Sequence, residues 1–191
     1  MRELKVKNII IGKQFENSEN YEEFIKIINE KHIKVYVVEA GEKIRIEKNL
    51  YIDVLWPSLE NIISENILNN NSLVCKLVYK NFSMLFTGDI EKIAEQRILE
   101  KYSQNINKLK ATVLKVAHHG SKTSSTIEFL KVVKPKIAVI GVGANNTFGH
   151  PSDITLESLE QLKCKIYRTD KNGEISIIVK NNEKVDIHRN K

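Results

Sequence analysis

The chain has 191 residues, 41% of them hydrophobic and 28% charged, the composition of a globular domain with its own core. This excludes a disordered tail, a collagen-like fibre and a disulfide scaffold, and no apolar run reaches the ~18 residues of a membrane-spanning helix. Thirty Lys and Arg against 24 Asp and Glu leave a net charge of +6. The lysines are spread along the sequence rather than clustered, so the balance tolerates a polyanionic partner without marking a nucleic-acid surface.

The predicted elements follow in chain order. Residues 1–12 alternate Lys with Val, Ile and Leu and predict a strand, not an export signal. Asn20 and Glu23 have capping-box spacing ahead of a helix whose Tyr21, Phe24, Ile25 and Ile28 share one face. Residues 33–38, 44–46 and 51–56 are strand-like. Residues 61–71 are Asn-rich and read as a surface loop. Residues 73–79 and 82–86 form a hairpin around Lys80-Asn81. Helix over 90–102, strand over 113–117, and a helix capped by Ser125 and Glu128 and ended by Pro135 come next. A strand over 137–142 and a helix capped by Ser152 follow. Asn172-Gly173 predicts a hairpin joining 165–168 to 174–179. The order is that of one α/β layered domain over residues 1–191, with its core at about 5–180. Cys75 and Cys164 read as small buried hydrophobes, and His32 and His188 as solvated.

Three polar segments each follow an apolar strand: Thr87-Gly88-Asp89, His118-His119-Gly120-Ser121, and a Gly- and Asn-rich stretch ending in His150-Pro151. In layered α/β folds the carboxyl ends of neighbouring strands line one rim, where sites are built. A carboxylate and neutral imidazoles suit zinc or manganese, while Asp89 alone would equally serve as a helix cap. Gly120-Ser121-Lys122-Thr123 has the flavour of a phosphate-binding P-loop, but Ser121 precedes Lys122 and Lys115 stands where the earlier Gly is required. The segment from Gly120 to Ser125 still offers hydroxyls and N–H groups to a phosphate.

These residues carry a family resemblance. LFTGDIEKIAEQRIL (85–99), LKVAHHGSKTSS (114–125), FGHPS (148–152) and YRTDKNGEI (167–175) resemble the metallo-β-lactamase-fold domain of ComEC-type competence proteins, with Asn69 to Val74 fitting the segment before the Thr-Gly-Asp strand. The resemblance implies that Asp89 bridges two divalent metal ions, zinc or manganese. Of His118 and His119, one is implied as a ligand and the other as an acid/base or substrate contact; His150 is implied as a ligand or substrate contact. Lys122, Thr123 and Ser124 are implied at the substrate phosphate, alongside Gly120 and Ser121 of the same phosphate-friendly segment. Arg168 and Asp170 match a recurring segment, where a turn role is expected.

The family's defining H-x-H-x-D-H string is absent, since the only histidine before position 118 is His32. Met1 therefore reads as an internal methionine just past that motif, and the chain as the C-terminal part of an αββα sandwich lacking its first strands. Most metal ligands would then be missing, and metal binding weak or partial. An uncovered apolar face should favour self-association or a complementing N-terminal segment. The resemblance implies a metal-dependent hydrolase of phosphodiesters, with DNA as substrate. Two other readings stay open: a non-catalytic DNA- or partner-binding module, and an inactive remnant. In ComEC-type proteins this domain is joined to a membrane channel outside the cytoplasm; no export signal occurs here.

Overall fold

The computed structural model describes residues 4–13, 18–180 and 184–190, so the first three residues of the expected N-terminal strand lie outside it. Strand β1 (Asn8–Gly12) leads to helix α1 (Glu19–Glu30) and back to β2 (Lys34–Val38), which pairs with β1 in parallel, Ile10 opposite Tyr36. The cap of α1 is Ser18, not the Asn20–Glu23 pair. Ser18 is extended and its hydroxyl accepts the Tyr21 N–H at 3.3 Å, which places Asn20 inside the first turn. Among the described residues β1 and β2 pair with no other strand, and Ile10, Tyr36 and Val37 are exposed.

The main sheet opens with β3 (Lys43–Glu47) and β4 (Leu50–Trp56). The Asn-rich stretch that follows is not a simple surface loop. It holds a short helix, α2 (Ile67–Asn70), and buries Asn70 and Asn71. The amide of Asn71 exchanges hydrogen bonds with both backbone groups of Ile63, and the carbonyl of Asn70 accepts the Trp56 indole N–H at 2.7 Å. Amide side chains answer buried backbone groups that a loop would otherwise leave unpaired.

Strands β5 (Val74–Tyr79) and β6 (Phe82–Phe86) continue the antiparallel meander as the expected hairpin. From there helices α3 (Lys92–Lys101), α4 (Ile127–Val133) and α5 (Asp153–Gln161) alternate with β7 (Val113–Lys115), β8 (Ile137–Ile140) and β9 (Lys165–Arg168). Each helix is the crossover that a parallel pairing needs. The sheet order is β3-β4-β5-β6-β7-β8-β9, antiparallel to β6 and parallel beyond it. Alternate residues serve opposite faces. Leu85, Leu114, Ala138 and Ile140 pack with Ala94, Ile98, Phe129, Leu130 and Leu159 in the helical layer. Phe82, Val113 and Val139 pack on the other face against Ile175, Ile177 and Val185.

That second face corrects the C-terminal reading. Asn172-Gly173 does not close a hairpin between the strands flanking it. A single helical turn, α6 (Thr169–Asn172), diverts the chain out of the main sheet, and β10 (Glu174–Val179) pairs instead with β11 (Val185–Asn190), a strand with no sequence expectation. Arg168 and Asp170 serve this turn, as expected: Nε and Nη2 of Arg168 donate to the two Asp170 oxygens at 3.0 and 2.6 Å. The fork holds the Asp170 carboxyl below its ordinary range. Helix α4 is capped by Thr126, whose hydroxyl accepts the Phe129 N–H, rather than by Ser125. Ser125 instead donates its N–H to the buried carboxylate of Glu95, which also accepts the Thr126 N–H at 2.8 Å and the Thr126 hydroxyl at 2.7 Å. Burial pushes the Glu95 carboxyl up, and these donors oppose that. Ser152 caps α5 as expected. Cys75 and Cys164 are free and half-buried, the first with its thiol pushed up to about 11 by burial. The fold is thus mixed α/β, as its element order predicts.

Candidate functional site

The three polar segments meet at the carboxyl ends of β6, β7 and β8. The Thr87 hydroxyl donates to the Lys115 carbonyl at 2.6 Å, and the His118 N–H donates to the Gly88 carbonyl at 3.1 Å. This ties the loop of Asp89 to the loop of the histidine pair. Asp89 is not a helix cap; the cap position of α3 is Glu91, and the Asp89 N–H donates to the Ser72 hydroxyl at 3.3 Å. Gly88 has φ +52, and a β-carbon there would lie 2.6 Å from Ser72 Cβ, so only glycine makes this turn without displacement.

His118 and His119 both adopt left-handed backbone, φ 47 and 55. Two consecutive non-glycine residues held there store strain of the kind found where side chains are aimed for chemistry. Nδ1 of His119 lies 2.6 Å from the Gly141 carbonyl. A carbonyl only accepts, so Nδ1 carries the proton and Nε2 of the neutral ring stays available as a base. The ring of His118 meets that of His150 edge-on, 5.7 Å between centroids. His150 is held by Asn146, which accepts the His150 N–H and donates to its carbonyl, both at 2.9 Å. Burial, then the neighbouring His118 and His119, push the His150 pKa down, which favours its neutral form.

Within the predicted phosphate segment, Ser121 and Ser124 point inward. The Ser121 hydroxyl pairs with Thr123 and the Ser124 hydroxyl donates to the Ile90 carbonyl at 2.8 Å. Lys122 and Thr123 are exposed and accessible to a ligand.

Three residues escape sequence reading. Glu91 accepts the Thr123 hydroxyl at 2.9 Å and sits 3.6 Å from His118 Nδ1. Lys115 closes β7, half-buried and near Asp89; burial lowers its pKa and the Asp89 charge opposes that. Phe148 is exposed and stacks on the His150 ring, centroids 6.0 Å apart. The available signals were a charge inside the apolar run Val113–Ala117 and an aromatic in a Gly-rich loop.

The donor types suit a divalent ion, and one observation favours it: Nδ1 of His118 is buried with no hydrogen-bond partner. The donors do not close into a complete site. Among the described residues, no three His, Cys, Asp or Glu side chains converge on a common ion position.

Comparison with known proteins gives the context. The chain is 36% identical over 177 residues to ComE operon protein 3 of Bacillus subtilis (strain 168), covering 93% of this chain and 22% of that protein. It is 35% identical over 123 residues to competence protein ComA of Neisseria gonorrhoeae, covering 64% and 17% of the two chains. Recombination protein 2 of Haemophilus influenzae is 30% identical over 130 residues, covering 68% and 15%. No protein-family model matches the chain. Among the described residues no helix is long and apolar enough to cross a membrane. The chain spans about a fifth of the length of the relatives it matches, and its homologues are competence proteins.

Proposed function

We propose that this chain forms part of a metal-dependent phosphodiesterase of the metallo-β-lactamase fold, acting on DNA in a competence protein outside the cytoplasm. The observation that carries the reading is the placement of Asp89, His118, His119 and His150 at three neighbouring strand ends along one rim. A helical layer, a large sheet and a second β layer are compatible with part of an αββα sandwich. An ion of the zinc or manganese class would need donors beyond those present here.

The chain's own residues have the following roles. His119, oriented by the Gly141 carbonyl, exchanges a proton with the reacting group through Nε2. Lys122 and Thr123 bind substrate phosphate from the exposed turn before α4. Phe148 offers an exposed aromatic face for a nucleobase to stack on.

The test is hydrolysis of a small chromogenic phosphodiester and of labelled DNA with manganese or zinc, each against a chelated control. Turnover that falls at least ~100-fold in His119→Ala supports the reading. Turnover that is unchanged by His119→Ala and Asp89→Ala overturns it. The incomplete donor set favours a second reading, a DNA-binding module without catalysis. Salt-dependent DNA binding with no metal-dependent cleavage would establish that one instead.

A further inference from the structure

The chain's lysines, dispersed in the sequence, are gathered by the fold at one place. A surface cavity of about 910 Å³ is lined by Lys131, Lys134, Lys136, Lys163 and Lys165 around Pro135, Ile137 and Leu162. No acidic residue lines it. Among the described residues, none of the five lysines forms an ion pair. All five are exposed. The cavity lies at the amino ends of β8 and β9, where Ile137 faces Lys165, the opposite end of the strands from the histidine rim. Four residues of β8 at ~3.3 Å each separate the two ends by about 13 Å along the strand.

Part of this charge has a local explanation. Lys131 and Lys134 stand at the carboxyl end of α4, and Lys163 just after α5, where cations offset the helix dipole. Lys136 and Lys165 belong to no helix end, and among the described residues no ion pair offsets their charges. Five unpaired cations around a concavity raise the local potential and attract a polyanion. Pro135 is buried and Ile137 and Leu162 are half-buried, whereas a membrane-seeking surface needs apolar side chains that protrude. No aromatic lines the cavity, so base stacking plays no part and the phosphate backbone is what the site fits.

We propose that this five-lysine cavity is a docking site for the phosphate backbone of duplex DNA, separate from the histidine rim. It would hold DNA by charge, without sequence preference. The proposal rests on the reading of the chain as a DNA-handling protein.

The experiment measures binding of a fluorescein-labelled duplex to the full chain by anisotropy across a salt series. The variant is Lys131→Gln/Lys136→Gln/Lys165→Gln, which leaves the left-handed Lys134 and Lys163 in place. Each phosphate contact contributes ~0.9 to the slope of log K against log salt, so the variant should lose ~2–3 of slope and bind ~10–100-fold more weakly at low salt. Lys131→Arg/Lys136→Arg/Lys165→Arg should bind as the parent does. Hydrolysis of a small phosphodiester should be unchanged in both. If the parent chain binds duplex and the Gln variant binds with the same slope, the cavity proposal falls while the DNA reading stands. If the parent chain fails to bind duplex even at low salt, both fall. Lysine-dependent flotation with phosphatidylglycerol vesicles, without lysine-dependent duplex binding, also overturns it.

Discussion

Gly120 and Pro151 lock two strand-end loops together. A β-carbon added to Gly120 would lie 2.5 Å from Pro151 Cβ, and the Gly120 carbonyl accepts the Ser152 N–H at 2.9 Å. The loop that carries His118 and His119 is thereby seated against the loop that carries His150. Side chains from separate crossovers hold a common rim only when their loops are in backbone contact.

Gly120→Ala is expected to unseat this contact. Gly120 has φ +85, so the substitution adds backbone strain to a steric overlap, at a cost of ~1–3 kcal/mol. Gly143→Ala is the control, because a β-carbon there meets nothing within 4 Å. Thermal unfolding of both variants checks this; equal melting temperatures would show that the loops are not locked through Gly120.

Glu91→Gln keeps an acceptor for the Thr123 hydroxyl and removes the negative charge 3.6 Å from His118 Nδ1. Turnover on a small phosphodiester is expected to fall ~10-fold or more, with stability changed by less than ~0.5 kcal/mol. Parallel kinetics and melting separate the two effects. A variant with full turnover would leave Glu91 a local structural tie.

Glu95→Gln tests the buried junction of α3 and α4. A carboxylate accepts the two N–H groups and the hydroxyl that converge on it. A glutamine amide instead turns a donor toward those donors, and leaving one unsatisfied costs ~1–3 kcal/mol. A urea midpoint unchanged from the parent would contradict this.

Acid sensitivity is expected from Asp170. Its carboxyl is held below the ordinary value of 3.8, first by the hydrogen bonds from Arg168. A depressed folded pKa gives stability that is present in full above the unfolded value and is lost as pH falls through the folded one. Melting temperature should therefore decline below about pH 4, and more shallowly in Asp170→Asn. Identical acid limbs would remove Asp170 from the account.

Local chemistry made much of this protein legible. Apolar runs leading into Gly-, Asp- or His-bearing turns marked β6, β7 and β8 with their rim, because strand propensity and turn chemistry act over a few neighbouring residues. The Lys80-Asn81 hairpin and the Ser152 cap are readable for the same reason. Other features depended on contacts distant in sequence. Ser18 and Thr126 displaced nearby capping signals because only the chain path decides which candidate is extended at the helix start. Asn172-Gly173 carries a hairpin signal, yet β9 found its partner in β8 and β10 crossed to the other face, where Ile175 and Ile177 cover Val113 and Val139.

By itself the sequence determined the α/β order, the strand-end placement of Asp89, His118, His119 and His150, and the likeness to competence proteins. Only the tertiary structure decided that Asn70 and Asn71 are buried, that Glu91 stands by His118, and that five scattered lysines surround one cavity. The physical reason is range: propensity and capping are set within a turn or a strand, whereas burial and clustered charge are set by which crossovers the sheet brings side by side.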